Sequence, residues 1–416
     1  MSLNPVTDNS KTRIHSESDP PEAKRTRGEP PLLVHEVGRI VYPVFTMLLE
    51  KGILSLQDRI LLDVLNKASG QIARSEVTTL CDQLASRIIP GLQACGLENF
   101  AMFVGHALRD RDHLIDFEWK KDPITSFELE TIGRITQLQA LYLTSTHVID
   151  EQLEPLSGLV HLNSLDLNNT GLLGEGLAHL TGLSQLTRLN LLGCDIVESI
   201  HFPKMTCLKK LYLSTIERML PEVSTLPELT TLHYDTDIED ATDLESLGKM
   251  PALTKLNLSS SHFSFREIES LMYFASLTRL RKLHLLNIHS LQESYFDGQH
   301  AFFLTAALVH LTQLETLKLT LGCFNEQVTQ HMAQLAHLNC FELYLCSQKT
   351  EQITSLSSLS LLTALNKLGL TDLSLKVQDA HVILCLPKCK DLLTINCILT
   401  PQAETLLNQI HLTNEG

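Results

Sequence analysis

Leucine residues recur in a fixed frame over most of the chain. From Gly133 onward the frame L-x-x-L-x-L occurs ten times, and Tyr234 and Phe341 replace a leucine in two of the copies. The copies open at Leu138, Leu162, Leu186, Leu208, Leu229, Leu253, Leu280, Leu314, Leu338 and Leu365, and a degenerate eleventh begins near Cys389. A self-similar period of about 20 to 30 residues predicts a stack of structural repeats, each with one short strand.

The alternation inside each copy predicts which way its side chains point. Successive residues of a strand face opposite sides of a sheet, so the frame leucines face inward and one repeat alone cannot bury them. Stacked neighbours complete the core, which predicts an open α/β solenoid whose parallel sheet lines a concave surface. The seventh repeat carries an insertion between Asn287 and Leu304.

The frame resembles the leucine-rich repeat superfamily over about two thirds of the chain. That family places Asn, Cys or Thr after each strand to hydrogen-bond the turning backbone, and the matching residues are Thr146, Thr170, Cys194, Ser261 and Cys346. Residues 166–170 and 176–180 are similar to the repeat subtype common in bacterial proteins. The resemblance implies a horseshoe over residues 129–416 that works as a protein-interaction module.

The first 128 residues follow other patterns. Residues 1–31 are rich in Pro, Ser and charge and predict a disordered tail. The basic cluster at 24–27 within it is typical either of a nuclear-localisation signal or of a solvated charge cluster. Residues 32–128 carry apolar side chains at helical spacing, which predicts a small all-α domain in front of the solenoid.

Part of this helical domain weakly resembles the F-box. Pro43, Leu48 and residues 54–67 follow its pattern, whereas Asn66 to Ser69 stands where the family has a late Cys and Trp. The resemblance implies a substrate adaptor that grips a ubiquitin-ligase scaffold. Joined to bacterial-like repeats, such an adaptor suits an effector acting in a host cell. A plain helical cap that shields the first repeat explains the same residues.

The overall charge and the apolar stretches narrow the class of protein. The net charge of −15 disfavours a general nucleic-acid binder, which needs a basic surface. No signal peptide is visible, and the longest apolar stretch, residues 301–311, is too short for a membrane span. Ten scattered cysteines suit reduced thiols. We therefore predict a cytoplasmic protein, with the nucleus, or the host cytosol for an effector, as alternatives.

Three groups of residues suggest chemistry, and each has a plainer explanation. The acidic run from Asp235 to Glu245 lacks the loop glycine of a calcium site. The second group has no C-x-x-C pair, and its spacing is that of the degenerate last repeat; it comprises His381, Cys385, Cys389 and Cys397. Residues 389–391 resemble the Cys-x-Asp element of bacterial ubiquitin ligases, but too little chain follows for their catalytic domain. The sequence predicts no enzyme, no metal and no cofactor.

The outward residues of the predicted strands form the candidate surface for a protein partner. Three columns over ten repeats hold six cations and three carboxylates, a net charge of +3, which predicts an acidic partner surface. The alternative is that exposed strand positions collect polar residues for solubility. The candidate residues are Tyr142, Asp166, Arg188, Asn190, Lys210, Tyr212, His233, Lys255, Asn257, Lys282, His284, Lys318, Glu342 and Tyr344.

Overall fold

The computed structural model describes most of the repeat region and parts of the N-terminal third. The described residues are 44–46, 48–50, 52, 74–94, 96–109, 116–119, 123–197, 202–215, 218–235, 238, 241–259, 268–286, 298–345, 356–371, 373–395 and 397–413. The predicted tail 1–31, the F-box-like residues 54–67 and the insertion at 287–297 lie outside them.

A single parallel sheet of twelve strands runs through the described chain, and its strands follow one another in sequence order. Each strand therefore pairs only with the repeats before and after it, which confirms the predicted α/β leucine-rich repeat solenoid. The strands are β1 (Asp116–Glu118), β2 (Ala140–Tyr142), β3 (Ser164–Asp166), β4 (Arg188–Ile196), β5 (Lys210–Thr215), β6 (Thr231–Asp235), β7 (Lys255–Ser259), β8 (Lys282–Leu286), β9 (Thr316–Leu321), β10 (Cys340–Leu345), β11 (Lys367–Thr371) and β13 (Asp391–Ile395). A two-stranded sheet pairs β12 (Ser374–Leu375) with β14 (Ile398–Leu399).

The frame leucines line up across the sheet and form the core. Leu189 of β4, for example, lies between Leu165 and Leu211 in register, and all three are fully buried. The two substitutes keep their places, since Tyr234 and Phe341 are also buried. Apolar side chains stacked in this way supply the main stabilising free energy of a repeat protein.

Short helices and 3-10 turns connect the strands and pack against one another. The helices are α1 (Arg74–Ala94), α2 (Glu98–Arg109), α3 (Ser126–Gly133), α4 (Leu220–Val223), α5 (Ala241–Gly248), α6 (Gly298–Leu308), α7 (Glu326–Met332), α8 (Val377–Leu384) and α9 (Pro401–Thr413). The 3-10 helices are Asp150–Gln152, Glu154–Gly158, Glu175–Leu180, Phe202–Lys204, Ile268–Ser276 and Ser357–Leu361.

The turn residues make the hydrogen bonds that the family resemblance implies. The hydroxyls of Thr146 and Thr170 donate to the carbonyl oxygens of Leu143 and Leu167, each at 2.7 Å. The Cys194 thiol lies 3.2 Å from the same Leu167 oxygen and links two repeats. The other two predicted positions, 261 and 346, lie outside the described residues.

The sheet begins inside the segment predicted as helical. Residues 116–118 form β1, which pairs in register with β2, so the predicted boundary at 129 falls within α3 instead of ahead of the first strand. An aromatic cluster joins α2 to β1: the ring centroids of Phe103 and Phe117 lie 4.6 Å apart, and those of Phe100 and Trp119 lie 5.4 Å apart. Periodicity missed β1 because it is three residues long and holds no leucine.

The described helices include none that is long and apolar enough to cross a lipid bilayer.

Candidate functional site: the concave face

Strand register sets the fourteen candidate residues side by side on the face opposite the leucines. Its central column runs, strand by strand, through Glu118, Tyr142, Asp166, Asn190, Tyr212, His233, Asn257, His284, Lys318, Glu342, Gly369 and Leu393. The alignment expected from the leucine frame is thus the one that the structure has. The role of these residues in binding stays a prediction.

The net charge of the concave face changes when its two outer strands are added to the ten predicted repeats. β1 adds Asp116 and Glu118, and β13 adds Asp391. The six cations of the three described columns then meet six carboxylates, so the net charge is +3 over the ten repeats from β2 to β11 and zero once β1 and β13 are added. No leucine frame marks β1 in the sequence, and the alternation of acidic and aromatic residues in 116–119 is the signal that could have found it.

Positive charge is concentrated on the middle strands of the sheet. Within the three concave columns, strands β4 to β8 carry Arg188, Lys210, Lys255 and Lys282, hereafter the basic row, against the single carboxylate of Asp235. All four cations occupy the same column, because Arg188 pairs with Lys210 and Lys255 pairs with Lys282 in register. The three concave columns of these five strands therefore have a local net charge of +3.

On the side of the basic row toward β2 and β3, polar side chains are hydrogen-bonded to one another. The carboxylate of Asp166 accepts hydrogen bonds from the Asn190 amide at 2.8 Å and from the Thr144 hydroxyl at 3.2 Å. Asn190 in turn accepts from the backbone N–H of Leu192. Because Asp166 and Asn190 are each only 8% exposed, they hold β2, β3 and β4 together and offer a partner little surface.

A carboxylate clamp lies beyond the basic row. Glu342, 5% exposed at its side chain, binds the ammonium groups of Lys318 and Lys367 at 2.8 Å each, and the Tyr344 hydroxyl donates to it at 3.0 Å. Burial opposes ionisation of this carboxyl group, but the three hydrogen bonds outweigh it and lower the pKa of Glu342 to about 2. A Cβ at Gly369 would lie 2.8 Å from the Glu342 side chain, so the glycine makes room for the clamp.

The cations of the basic row have no such counter-charge. In the part of the chain that the structure describes, no carboxylate lies within salt-bridge distance of Lys210, Lys255 or Lys282, whose side chains are exposed. The guanidinium of Arg188 lies 5.3 Å from the ring centroid of Tyr212, which is a cation–π geometry. These charges are therefore available to a partner.

Half-buried rings and amides lie beside the basic row in the central column. The rings of Tyr212 and His233 are 6.1 Å apart, and the Asn257 amide lies 3.3 Å from the His233 ring nitrogens. Burial lowers the pKa of His233 and of His284, and the Lys318 ammonium lowers that of His284 further. Both imidazoles are accordingly neutral at pH 7, so they contribute apolar ring surface and no charge.

Comparison with known proteins finds similarity only to solved structures of low sequence identity. No protein-family model matches the chain, and no curated protein matches it. An internalin (inlF) from Listeria monocytogenes is 18% identical, with a TM-score of 0.34 over 61% of this chain and 86% of that one. The Leptospira interrogans protein LIC12759, a leucine-rich repeat protein, is 15% identical, with a TM-score of 0.43 over 71% and 80%. Internalin C2 (inlC2) from Listeria monocytogenes is 20% identical, with a TM-score of 0.33 over 59% and 84%.

Proposed function

We propose that the chain is a protein-binding module whose partner docks on the concave face at strands β4 to β8. The observation that carries this proposal is the basic row, four cations in one column to which none of the described carboxylates is bound. Ordered polar groups elsewhere on the face bind one another, as at Asp166 and Glu342. Exposed cations that lack an internal counter-charge are the ones that can gain from an acidic partner.

The aromatic residues supply the apolar contact in this proposal. Tyr212 lies within the basic row and is half-buried, which suits an anchor that can be covered without large loss of side-chain entropy. Tyr142 takes the same role at β2. The Tyr344 hydroxyl is engaged by Glu342, so its ring alone is available. The proposed activity is binding, without a catalytic step.

A photo-crosslinking experiment tests the location of the interface. The photoreactive residue p-benzoylphenylalanine replaces Tyr212 in one chain and Tyr273 in a matched chain. Tyr273 is equally a tyrosine, is 40% exposed and belongs to the 3-10 helix Ile268–Ser276, away from the concave columns. We expect a discrete adduct in cell extract from the Tyr212 position alone. An adduct from the Tyr273 position alone would move the interface off the concave face.

The ubiquitin-ligase adaptor remains a second hypothesis, which rests on sequence because residues 54–67 lie outside the described residues. Its test is a pull-down of ligase scaffold from eukaryotic extract with the full chain and with residues 116–416. The truncated chain begins at β1, so the sheet stays whole, whereas a cut at 129 divides α3. Recovery by the full chain alone supports the adaptor, and absence from both favours a helical cap.

A further inference from the structure

The spacing of the basic row is specific enough to describe what it binds. Neighbouring parallel strands lie about 4.8 Å apart. Arg188 and Lys210 lie on neighbouring strands, and so do Lys255 and Lys282, while Thr231 of β6 stands between the two pairs. The four cations therefore lie at about 0, 5, 14 and 19 Å along the solenoid axis. Two pairs of cations are separated by one uncharged strand.

We propose that the basic row receives an acidic α-helix of the partner, with one pair of carboxylates over Arg188 and Lys210 and a second pair over Lys255 and Lys282. This inference rests on the proposed function, since it describes the partner of the same face. It adds the conformation of the bound segment and the positions of its charges.

Helical geometry reproduces the spacing of the row. Carboxylates at positions i, i+4, i+11 and i+14 lie at about 0, 6, 16.5 and 21 Å along a helix that rises about 1.5 Å per residue. At about 100° per residue, all four fall within about 40° of one line on the helix surface. The remaining differences of about 2 Å are within the reach of flexible lysine side chains.

An extended segment is the less favourable occupant. The backbone groups of β4 to β8 are already bonded within the sheet, so a chain laid across the face finds no strand edge to pair with. Its own N–H and C=O groups would lose water without gaining partners. A helix satisfies those groups by its own internal hydrogen bonds. A helix that lies across the strands also fits the face, because its diameter of about 10 to 12 Å is smaller than the length of a five-residue strand, about 16 Å.

The uncharged strand also has a counterpart on the helix. Position i+7 lies about 10.5 Å along the helix and within about 20° of the same line. In the proposed complex, the residue at i+7 lies over Thr231, beside the rings of Tyr212 and His233. An apolar residue there would pack on these rings. Carboxylates flank the basic row on both sides, Asp166 on β3 and Glu342 on β10, so the acidic stripe should be no longer than the row.

Binding of synthetic helices to the full chain tests the inference. The probe is a fluorescein-labelled, hydrocarbon-stapled peptide of about 18 residues with Glu at i, i+4, i+11 and i+14 and Leu at i+7. A second stapled peptide has Gln at the four positions, and a third, unstapled and rich in β-branched residues, places four Glu at alternate positions. Fluorescence anisotropy in about 0.1 M salt, where screening leaves only short-range charge, gives the affinities.

We expect the stapled Glu peptide to bind at least about tenfold more tightly than the Gln peptide and than the extended peptide. The double variant K255E/K282E should weaken its binding about tenfold or more, and K255Q/K282Q should weaken it less. Lys388→Glu is the matched control, because Lys388 is exposed in the turn before β13, away from the row. Its single reversal should leave the affinity within about twofold of the parent.

Equal binding of the Glu and Gln peptides would overturn the inference, as would an effect of Lys388→Glu equal to that of the double variant. Tighter binding of the extended peptide would replace the helix with a strand. A crosslink at Tyr212 without binding of the peptides would support the proposed function and contradict only the acidic helix. Absence of both the crosslink and peptide binding would contradict the proposed function as well as the acidic helix.

Discussion

At the scale of single residues, Glu342 shows how the concave face is ordered. Its carboxylate is buried at a cost in free energy, and three donors, two of them cationic, offset that cost. The sequence placed Glu342 on the right face, because the leucine frame fixes the direction of each side chain. That Lys318 and Lys367 both reach it could not be predicted, because they belong to the repeats on either side.

Glu342→Gln should destabilise the protein and alter its response to acid. We expect a loss of about 2 kcal/mol of unfolding free energy at pH 7, since two charge-assisted hydrogen bonds are weakened. The pKa of Glu342 is lowered to about 2 from an ordinary value of 4.5, so its ionised form contributes fully above pH 4.5 and the contribution vanishes as the pH falls through about 2. Urea denaturation from pH 7 to pH 2 should therefore show a smaller acid loss for the variant than for the parent.

Glu315→Gln is the control for that experiment. Glu315 also pairs with a cation, Arg281 at 3.3 Å, but both side chains are about half exposed. Exposed pairs contribute about 0 to 1 kcal/mol. If the Glu342 variant behaves like the Glu315 variant at every pH, the clamp does not stabilise the fold.

At the scale of elements, the leucine frame predicted the ten strands from β2 to β11 but not the segments that connect them. Asp150 explains why. Its carboxylate accepts hydrogen bonds from the backbone N–H groups of Leu173, Gly174 and Gly176 of the next repeat, at 2.7, 3.0 and 2.6 Å. A Cβ at Gly176 would lie 2.6 Å from the Asp150 carbonyl oxygen, so this close approach needs glycine. Contacts between residues about two dozen positions apart leave no local periodicity in the sequence.

Leu189→Asp tests the element assignment. Leu189 is fully buried between Leu165 and Leu211, so an aspartate there is an unpaired charge in the core. We expect loss of the cooperative thermal transition followed by circular dichroism. Leu192→Asp, on the same strand but on the partly exposed concave face, should melt within a few degrees of the parent. Equal melting of the Leu189 variant and the parent would show that the frame is misassigned.

At the scale of the whole molecule, the N-terminal helices cover the first strand. The rings of Phe100 and Phe103 in α2 pack on Phe117 of β1, which is 1% exposed. Without α2 this end of the apolar core meets water, so the terminal repeat needs its cap. We expect residues 116–416 to melt at a lower temperature than the full chain and to bind the dye ANS. An identical melting curve for the two chains would show that the helices do not cap the solenoid.

The opposition between a charge of −15 over the whole chain and a local +3 over the concave columns of β4 to β8 predicts an unusual salt dependence. At about 0.01 M salt the Debye length is about 30 Å, so an approaching acidic helix feels the net negative charge and is repelled. At about 0.1 M the Debye length falls to about 10 Å, and the local row dominates. Near 1 M both effects are screened.

Stopped-flow association of the stapled Glu peptide should therefore be fastest at intermediate salt. K255E/K282E removes the local attraction, so its rate should rise with salt throughout, whereas Lys388→Glu should keep the maximum. A parent rate that only falls with salt would mean that the row, and not the net charge, governs encounter at every distance.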